Sequence, residues 1–315
     1  MRREPSRLST PVNPHRRALI LIHCCVVLWG FTAILGRLIT LDALDLVWWR
    51  MLLVAAALAC VPRVWRSLAA IPRRALLAFS GIGWLVAVHW LAFYGSVKLA
   101  NASVAATTMG LAPVVTALIE PAITGARFER HNLVLGILVV PGVALAVGGI
   151  PGSMQLGFWL GVVSAVLAAL FNAFNKRALG PHDALAVTGL ELSAGFLLVA
   201  VIAPFAGGHG PLPALPSVAD GAWLLVLAMV CTLLPFAVAL TTLRQLSAFT
   251  TQLAINLEPI YAISVAALFL GETRELGTLF YVGAFIVLAG VFGHAWLQTR
   301  QIPRTEALTD ESRSV

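Results

Sequence analysis

Apolar residues along this chain neither alternate nor mark one face of a helix; they fill long continuous runs separated by short polar segments. Ten such runs can be drawn: Ala18–Ile39, Ala43–Val61, Ala75–Val97, Ala102–Thr124, Leu133–Ile150, Leu156–Ala178, Ala184–Pro204, Ala222–Leu243, Ala248–Leu270 and Leu276–Trp296. A helix needs roughly 20 apolar residues to cross about 30 Å of hydrocarbon, so each run predicts a transmembrane helix. A membrane β-barrel would instead show segments of about ten residues with alternating polarity. The expected fold class is therefore all-α, a polytopic membrane protein of ten helices. The basic start "MRREPSRLST" raises the possibility of a signal peptide, but the apolar run behind it is too long and lacks an A-x-A-like cleavage site. It reads as a retained first helix.

Composition agrees with that reading: of 315 residues, 59% are hydrophobic and 11% charged, whereas soluble domains carry about 25% charged residues. A pI near 9.9 and a net charge of +7 could point to nucleic acid. With the N-terminus placed in the cytoplasm, however, 17 Lys and Arg residues fall on the cytoplasmic side, three (Arg37, Lys98, Arg274) on the other, and Arg50 inside a span. That asymmetry is the positive-inside signature; the basicity encodes orientation, with both termini cytoplasmic, and nucleic acid is not an expected partner. Cys24, Cys25, Cys60 and Cys231 fall within spans without metal-ligand spacing and read as packing residues. No cofactor or metal is expected.

The chain also repeats itself. Laying "KLANASVAATTMGLAPVVTALIEPAITG" over "RQLSAFTTQLAINLEPIYAISVAALFLG" matches Lys98 to Arg244, Ala102 to Ala248, Pro113 to Pro259 and Gly125 to Gly271 at a constant offset of 146. "GFTAILGRLI" over "LFNAFNKRAL" matches Arg37 to Arg177 at an offset of 140. The expected organisation is a basic tail at 1–17, one five-helix repeat at 18–150, a second at 156–296 and a polar tail at 297–315. Five spans per copy is odd, so the second copy starts on the opposite side of the membrane. Inverted repeats suit secondary carriers, whose two halves can exchange conformations about a midplane site.

The motifs "LWGFTAILGRLI", "WWRMLL", "LAPVVTAL" with "GILVVPGVALAVGG", and "LEPIYAISVAALFLGE" with "GAFIVLAGV" resemble, in this order, the drug/metabolite transporter superfamily, specifically its EamA-like ten-helix members. The resemblance covers about Ala18 to Trp296. It implies a carrier of small metabolites such as amino acids, nucleotide sugars or sugar phosphates. In such relatives an acid often follows the glycine ending spans four and nine. Gly271-Glu272 fits; Gly125 is followed by Ala126, with Glu129 nearby.

Four ionisable residues sit deep in apolar runs: Arg50, His89, Glu191 and Glu258. Charge at mid-membrane costs about 2.5 kcal/mol or more and marks a cavity or a partner. Arg50 offers a planar fork for a carboxylate or phosphate. Alternatively it pairs with Glu191, which occupies the same place in the second repeat. Glu258 shares a helix face with Tyr261 and Thr251, facing a cavity as a cation or proton site, or packing as a neutral acid. Pro259 and Pro113 each remove a helical hydrogen bond, so both helices are expected to kink. His89, near Trp90 and Tyr94, is either structural or a proton carrier. Asn172 and Asn175 share a face and can bind solute or join helices. Trp29 and Trp84 could line an aromatic cavity or belong to an interface belt, and Glu120 and His23 are expected to be solvated. Glycines in spans five and ten (Gly136, Gly142, Gly283, Gly290) suggest tight scaffold packing or a homodimer surface. The function expected is a secondary transporter, with export favoured, of a small polar or zwitterionic metabolite, with protons as a possible second partner. A channel is the alternative; the chain has no phosphate-binding glycine loop, H-E-x-x-H or G-x-S-x-G, so an enzyme is disfavoured.

Overall fold

The structure, a computed structural model, describes residues 14–128, 131–206, 212–255, 257–290 and 293. Glu129, Asn256, the chain before Pro14 and the residues after 293 lie outside the described residues. Among the described residues every regular element is helical. The first half comprises α1 (Pro14–Leu38), α2 (Ala43–Ala59), α3 (Pro62–Ala69), α4 (Arg73–Leu99), α5 (Ala102–Met109), α6 (Ala112–Thr124) and α7 (His131–Gly148). The second comprises α8 (Gln155–Ala178), α9 (Ala184–Ile202), α10 (Val218–Leu225), α11 (Leu234–Thr242), α12 (Ala248–Ile255), α13 (Glu258–Val265) and α14 (Thr278–Gly290).

Six helical stretches are long and apolar enough to cross a bilayer: Pro14–Leu38, Arg73–Leu99, Ala102–Thr124, Gly152–Ala178, Ala184–Phe205 and Val218–Thr242. The pair α2 and α3, bent by 86°, makes a seventh if counted as one span. Val139–Gly148, Glu258–Leu270 and Thr278–Gly290 are apolar but shorter. The outer surface is apolar, with Phe285 71%, Leu268 79% and Leu77 74% exposed, while Arg50, Glu191 and Glu258 are buried. Large side chains outward and ionisable groups inward is the distribution that a hydrocarbon solvent imposes.

The face where α1 begins is called proximal here and the one where it ends distal. Packing pairs elements of one half with elements of the other: α4 with α8 and α1 with α11, α6 with α8 and α1 with α12 and α13, α2 with α9, and α5 with α13. α7 and α14 meet so closely that a Cβ on Gly283 would sit 2.3 Å from the Gly142 carbonyl oxygen. These two glycines serve packing within the chain, which occupies part of the face that the sequence left open to a homodimer.

Three breaks shape the interior. α5 ends in tight turns, Gly110 N–H to Thr107 O and Leu111 N–H to Thr108 O at 3.0 Å each, before α6 restarts with Pro113 in its first turn. α12 stops at Ile255 and α13 restarts at Glu258 with Pro259 in its first turn. Each proline deprives the residue four before it, Met109 or Ile255, of a helical donor. Both stretches end at a left-handed glycine, Gly125 (φ 76°) and Gly271 (φ 69°), where a side chain would be strained. Between α10 and α11, Val226–Leu233 is wound as a π-helix directly before Pro235.

Candidate functional site

The breaks surround a central cavity. It is lined by α1 (Trp29, Thr32), α2 (Arg50), α4 (His89, Trp90, Phe93), α8 (Asn172, Asn175), α11 (Phe236, Leu240) and Leu243 after it, Met109, Ile255 and Glu258, among others. It holds about 740 Å³ of space free of atoms, its mouth and open solvent included. Asn175 belongs to the last turn of α8 and Leu243 directly follows α11, so the cavity reaches toward the proximal face.

Arg50 is 3% exposed and held from three directions. Its Nε donates to Thr232 Oγ1 at 2.7 Å and its Nη1 to Tyr94 Oη at 2.8 Å, and the guanidinium lies over the Trp90 ring at 3.7 Å. Thr232 in turn donates to the Leu227 carbonyl at 2.5 Å, the five-residue spacing of the π segment. Nη2 has no hydrogen-bond partner among the described residues. The ion pairs among them are Arg37–Glu275 and Arg63–Asp183, so no carboxylate lies within 4 Å of Arg50. The Arg50–Glu191 pair that the sequence allowed is not formed, because Glu191 lies outside the cavity lining, at 0% exposure, where Asn175 Nδ2 donates to its Oε2 at 3.4 Å.

Glu258 lines the same cavity as Arg50 and makes no side-chain hydrogen bond among the described residues. His89 Nδ1 lies 2.9 Å from the Ser164 carbonyl oxygen and 2.8 Å from the Ser164 hydroxyl, tying a cavity-lining ring of α4 to α8. Asn172 Nδ2 donates to the Ala168 carbonyl at 3.0 Å, and both Asn172 and Asn175 line the cavity.

Two expectations, for Tyr261 and Glu120, are corrected, and the choice left open for Trp84 and Trp29 between a cavity wall and an interface belt is resolved. Tyr261 does not line the cavity but is 41% exposed in a lateral groove with Arg16, Ile20, Cys24 and Val27. The absent side chain of Gly30, whose Cβ would come within 2.8 Å of Tyr261 Cβ, lets α1 press against α13 between the two positions. Trp84 is 52% exposed on the outside, whereas Trp29 lines the cavity. Glu120 is buried rather than solvated, since α6 packs on α8. The anchoring role of Thr232 has no sequence signal, because it depends on the π winding.

A helical bundle with an apolar exterior, ionisable groups inside and six stretches long and apolar enough to cross a bilayer fits a polytopic membrane protein. The chain belongs to the EamA-like transporter family, whose model matches twice, over residues 16–148 and 155–295. It is thus a multi-pass membrane transporter of the drug/metabolite superfamily. No curated protein matches it. One crystal structure is similar over 91% of this chain and 99% of that one, at 15% identity and a TM-score of 0.64, a likeness of fold alone.

Proposed function

We propose that this transporter carries a small zwitterionic or anionic metabolite of amino-acid size by alternating access, coupled to protons through Glu258. The observation that carries the reading is Arg50: a buried guanidinium, anchored on two edges and stacked on a ring, with Nη2 left unpartnered. Such a fork suits a carboxylate, delivering directional hydrogen bonds where water is scarce. Glu258, unpaired in the same cavity, suits the amine of a zwitterion. The aromatic walls suit an uncharged body between them.

The paired packing of the two halves and the constant offset of 146 support ten spans in two inverted repeats. The arginine asymmetry supports a cytoplasmic proximal face in a bacterial inner membrane, with the cavity then open to the cytoplasm. Exchange for inward-moving protons would suit an exporter in such a membrane, with Glu258 carrying the proton when no amine neutralises it. A facilitator would share the cavity but not need a sealed face; saturation and counterflow in proteoliposomes distinguish the two.

The test is Glu258→Gln. The variant is expected to retain solute counterflow but lose uptake driven by a pH gradient. Wild-type coupling in the variant would remove Glu258 from the mechanism. A thermal-shift screen of metabolites on purified protein would identify the solute.

A further inference from the structure

The two faces are closed by unequal means. On the distal face Glu272 is 1% exposed, and its carboxylate accepts from Ala102 N–H at 3.0 Å, Ser103 N–H at 2.9 Å and Ser103 Oγ–H at 2.7 Å. It follows Gly271 in the second repeat and caps the first turn of α5 in the first, so the contact ties the halves together. A carboxylate at a helix N-terminus is held by both the free amides and the helix dipole. Beside it Glu275 accepts from Asn101 Nδ2 at 3.1 Å and pairs with Arg37 at 3.6 Å, and Asp220 accepts from the Thr40 hydroxyl at 2.6 Å.

The offset of 146 locates the mirror of this contact on the proximal face. Asn101 maps to Ser247, and both cap their helices, Asn101 Oδ1 accepting from Val104 N–H and Ser247 Oγ from Thr250 N–H at 2.9 Å each. Gly271 maps back to Gly125, which shares its left-handed turn. At the latch positions the correspondence fails on both sides: Glu272 maps to Ala126 and Ser103 to Phe249. The acid and the hydroxyl are missing together. The hydrogen bonds and ion pairs that cross between halves on the proximal face are exposed ones: the Arg63–Asp183 pair, 71% and 21% accessible, Arg177 Nη1 donating to the Ile123 carbonyl at 3.1 Å, and His15 Nδ1 at 3.4 Å from the Gln245 carbonyl oxygen. Beside them the buried Glu120 makes an electrostatic contact with Lys176. Solvent-exposed pairs hold weakly. The central cavity extends toward this same face, at Asn175 and Leu243.

We propose that Glu272 and Ser103 form a one-sided latch that biases the transporter toward the state open on the proximal face, the mirror latch having been lost at Ala126 and Phe249. The latch rests on the alternating-access reading, and opening the distal face requires the Glu272 carboxylate to leave α5. A solute able to reverse the bias must bind the distally open state more tightly by the same factor.

Thiol accessibility in the full chain tests it, with Cys24, Cys25, Cys60 and Cys231 replaced by alanine or serine. T107C reports the distal face: Thr107 is 3% exposed, one turn inward from Ser103 on the same side of α5. L243C reports the proximal side: Leu243 is 3% exposed as well, but it borders the central cavity where that cavity nears the proximal face. In sided membrane vesicles, Glu272→Gln should raise the rate at which an impermeant maleimide labels T107C by about tenfold, the scale of a charge-assisted hydrogen bond, and should lower labelling of L243C. Ser103→Ala, a milder change, should act in the same direction. The double change Ala126→Glu with Phe249→Ser should lower L243C labelling by installing the mirror latch. Unchanged T107C labelling in both Glu272→Gln and Ser103→Ala overturns the latch; unchanged L243C labelling in the double variant overturns the attribution of asymmetry to positions 126 and 249. No solute enters this readout, so labelling that responds in a protein showing no counterflow of any metabolite would sink the transport reading and leave the latch standing.

Discussion

Replacing Arg50 by lysine keeps the charge and removes the fork, which makes it the sharpest perturbation of the proposed site. In the wild type Nε and Nη1 are committed to Thr232 and Tyr94 at 2.7 and 2.8 Å, and Nη2, without a hydrogen-bond partner among the described residues, is the edge proposed to meet the solute. A lysine has one nitrogen on a shorter reach. If it stays with the anchors it cannot meet the solute squarely, and if it turns to the solute the anchors are abandoned. Either way about one charge-assisted hydrogen bond is lost, roughly 1.5–3 kcal/mol. The 3.7 Å stack of the guanidinium over Trp90 is weakened as well. At about 1.4 kcal/mol per decade, the affinity for a carboxylate-bearing solute should fall roughly 10- to 100-fold. Counterflow in proteoliposomes would measure it as KM, with an uncharged analogue of the same solute as control. Thr232→Val removes one anchor and leaves the fork, so its effect should be near the ~0.6 kcal/mol typical of membrane hydrogen bonds, about threefold. If Arg50→Lys changes KM by less than twofold, or weakens the charged solute and its uncharged analogue alike, Arg50 does not bind the acid group.

Three further outcomes follow from the fold. Gly83→Ala would place a Cβ 2.1 Å from the Glu191 carbonyl oxygen, forcing α4 and α9 apart at a cost of about 1–3 kcal/mol. Its thermal unfolding midpoint should drop by several degrees, while Gly81→Ala, with nothing within 4 Å, should not. Asp183 is pushed up by partial burial, but the Ala186 N–H, the Arg63 guanidinium and the Leu185 N–H together hold its carboxyl below the ordinary range. A lowered folded value stabilises above the unfolded carboxylate range and is lost as pH falls through the folded value. Asp183→Asn should therefore be less stable than wild type at neutral pH, with the gap closing on acidification; a gap that widens in acid would contradict the assignment. Reporter fusions after Ile150 and after Arg177 should report opposite sides of the membrane, and the same side for both would reject the inverted topology.

The deep polar residues were legible in the sequence because an apolar run leaves few reasons for a charge. Arg50, His89, Asn172, Asn175 and Glu258 all meet in one cavity. The spacing of Pro113 and Pro259 likewise located the breaks in two long helical stretches. What the pattern could not resolve is angular position where the margin is small. Tyr261 lies about 60° around the helix from Glu258 at ~100° per residue, and α1 packs into that gap. Glu191 is hydrophobically indistinguishable from a cavity residue, yet α9 turns it toward Asn175. Thr232 was invisible because its position depends on the π winding of Val226–Leu233, which hydropathy does not signal.

The anchors of Arg50 divide unequally between the halves. Tyr94 and Trp90 come from α4, in the same half as Arg50, whereas Thr232 comes from the π segment of the other half. A rocking of one half against the other would carry Tyr94 and Trp90 along with the guanidinium and stretch only the bond to Thr232. A regular α-helix would transmit that strain along its full ladder of hydrogen bonds. The π segment, where Thr232 already bonds back five residues to Leu227, can absorb it by local rewinding. The Arg50–Thr232 bond and the His89–Ser164 contact both join the site to the interface between halves. Under the proposed alternating access, a solute drawing Arg50 toward Glu258 would pull on the Thr232 contact that distal opening would release, and energy for opposing the Glu272 latch could enter through that bond.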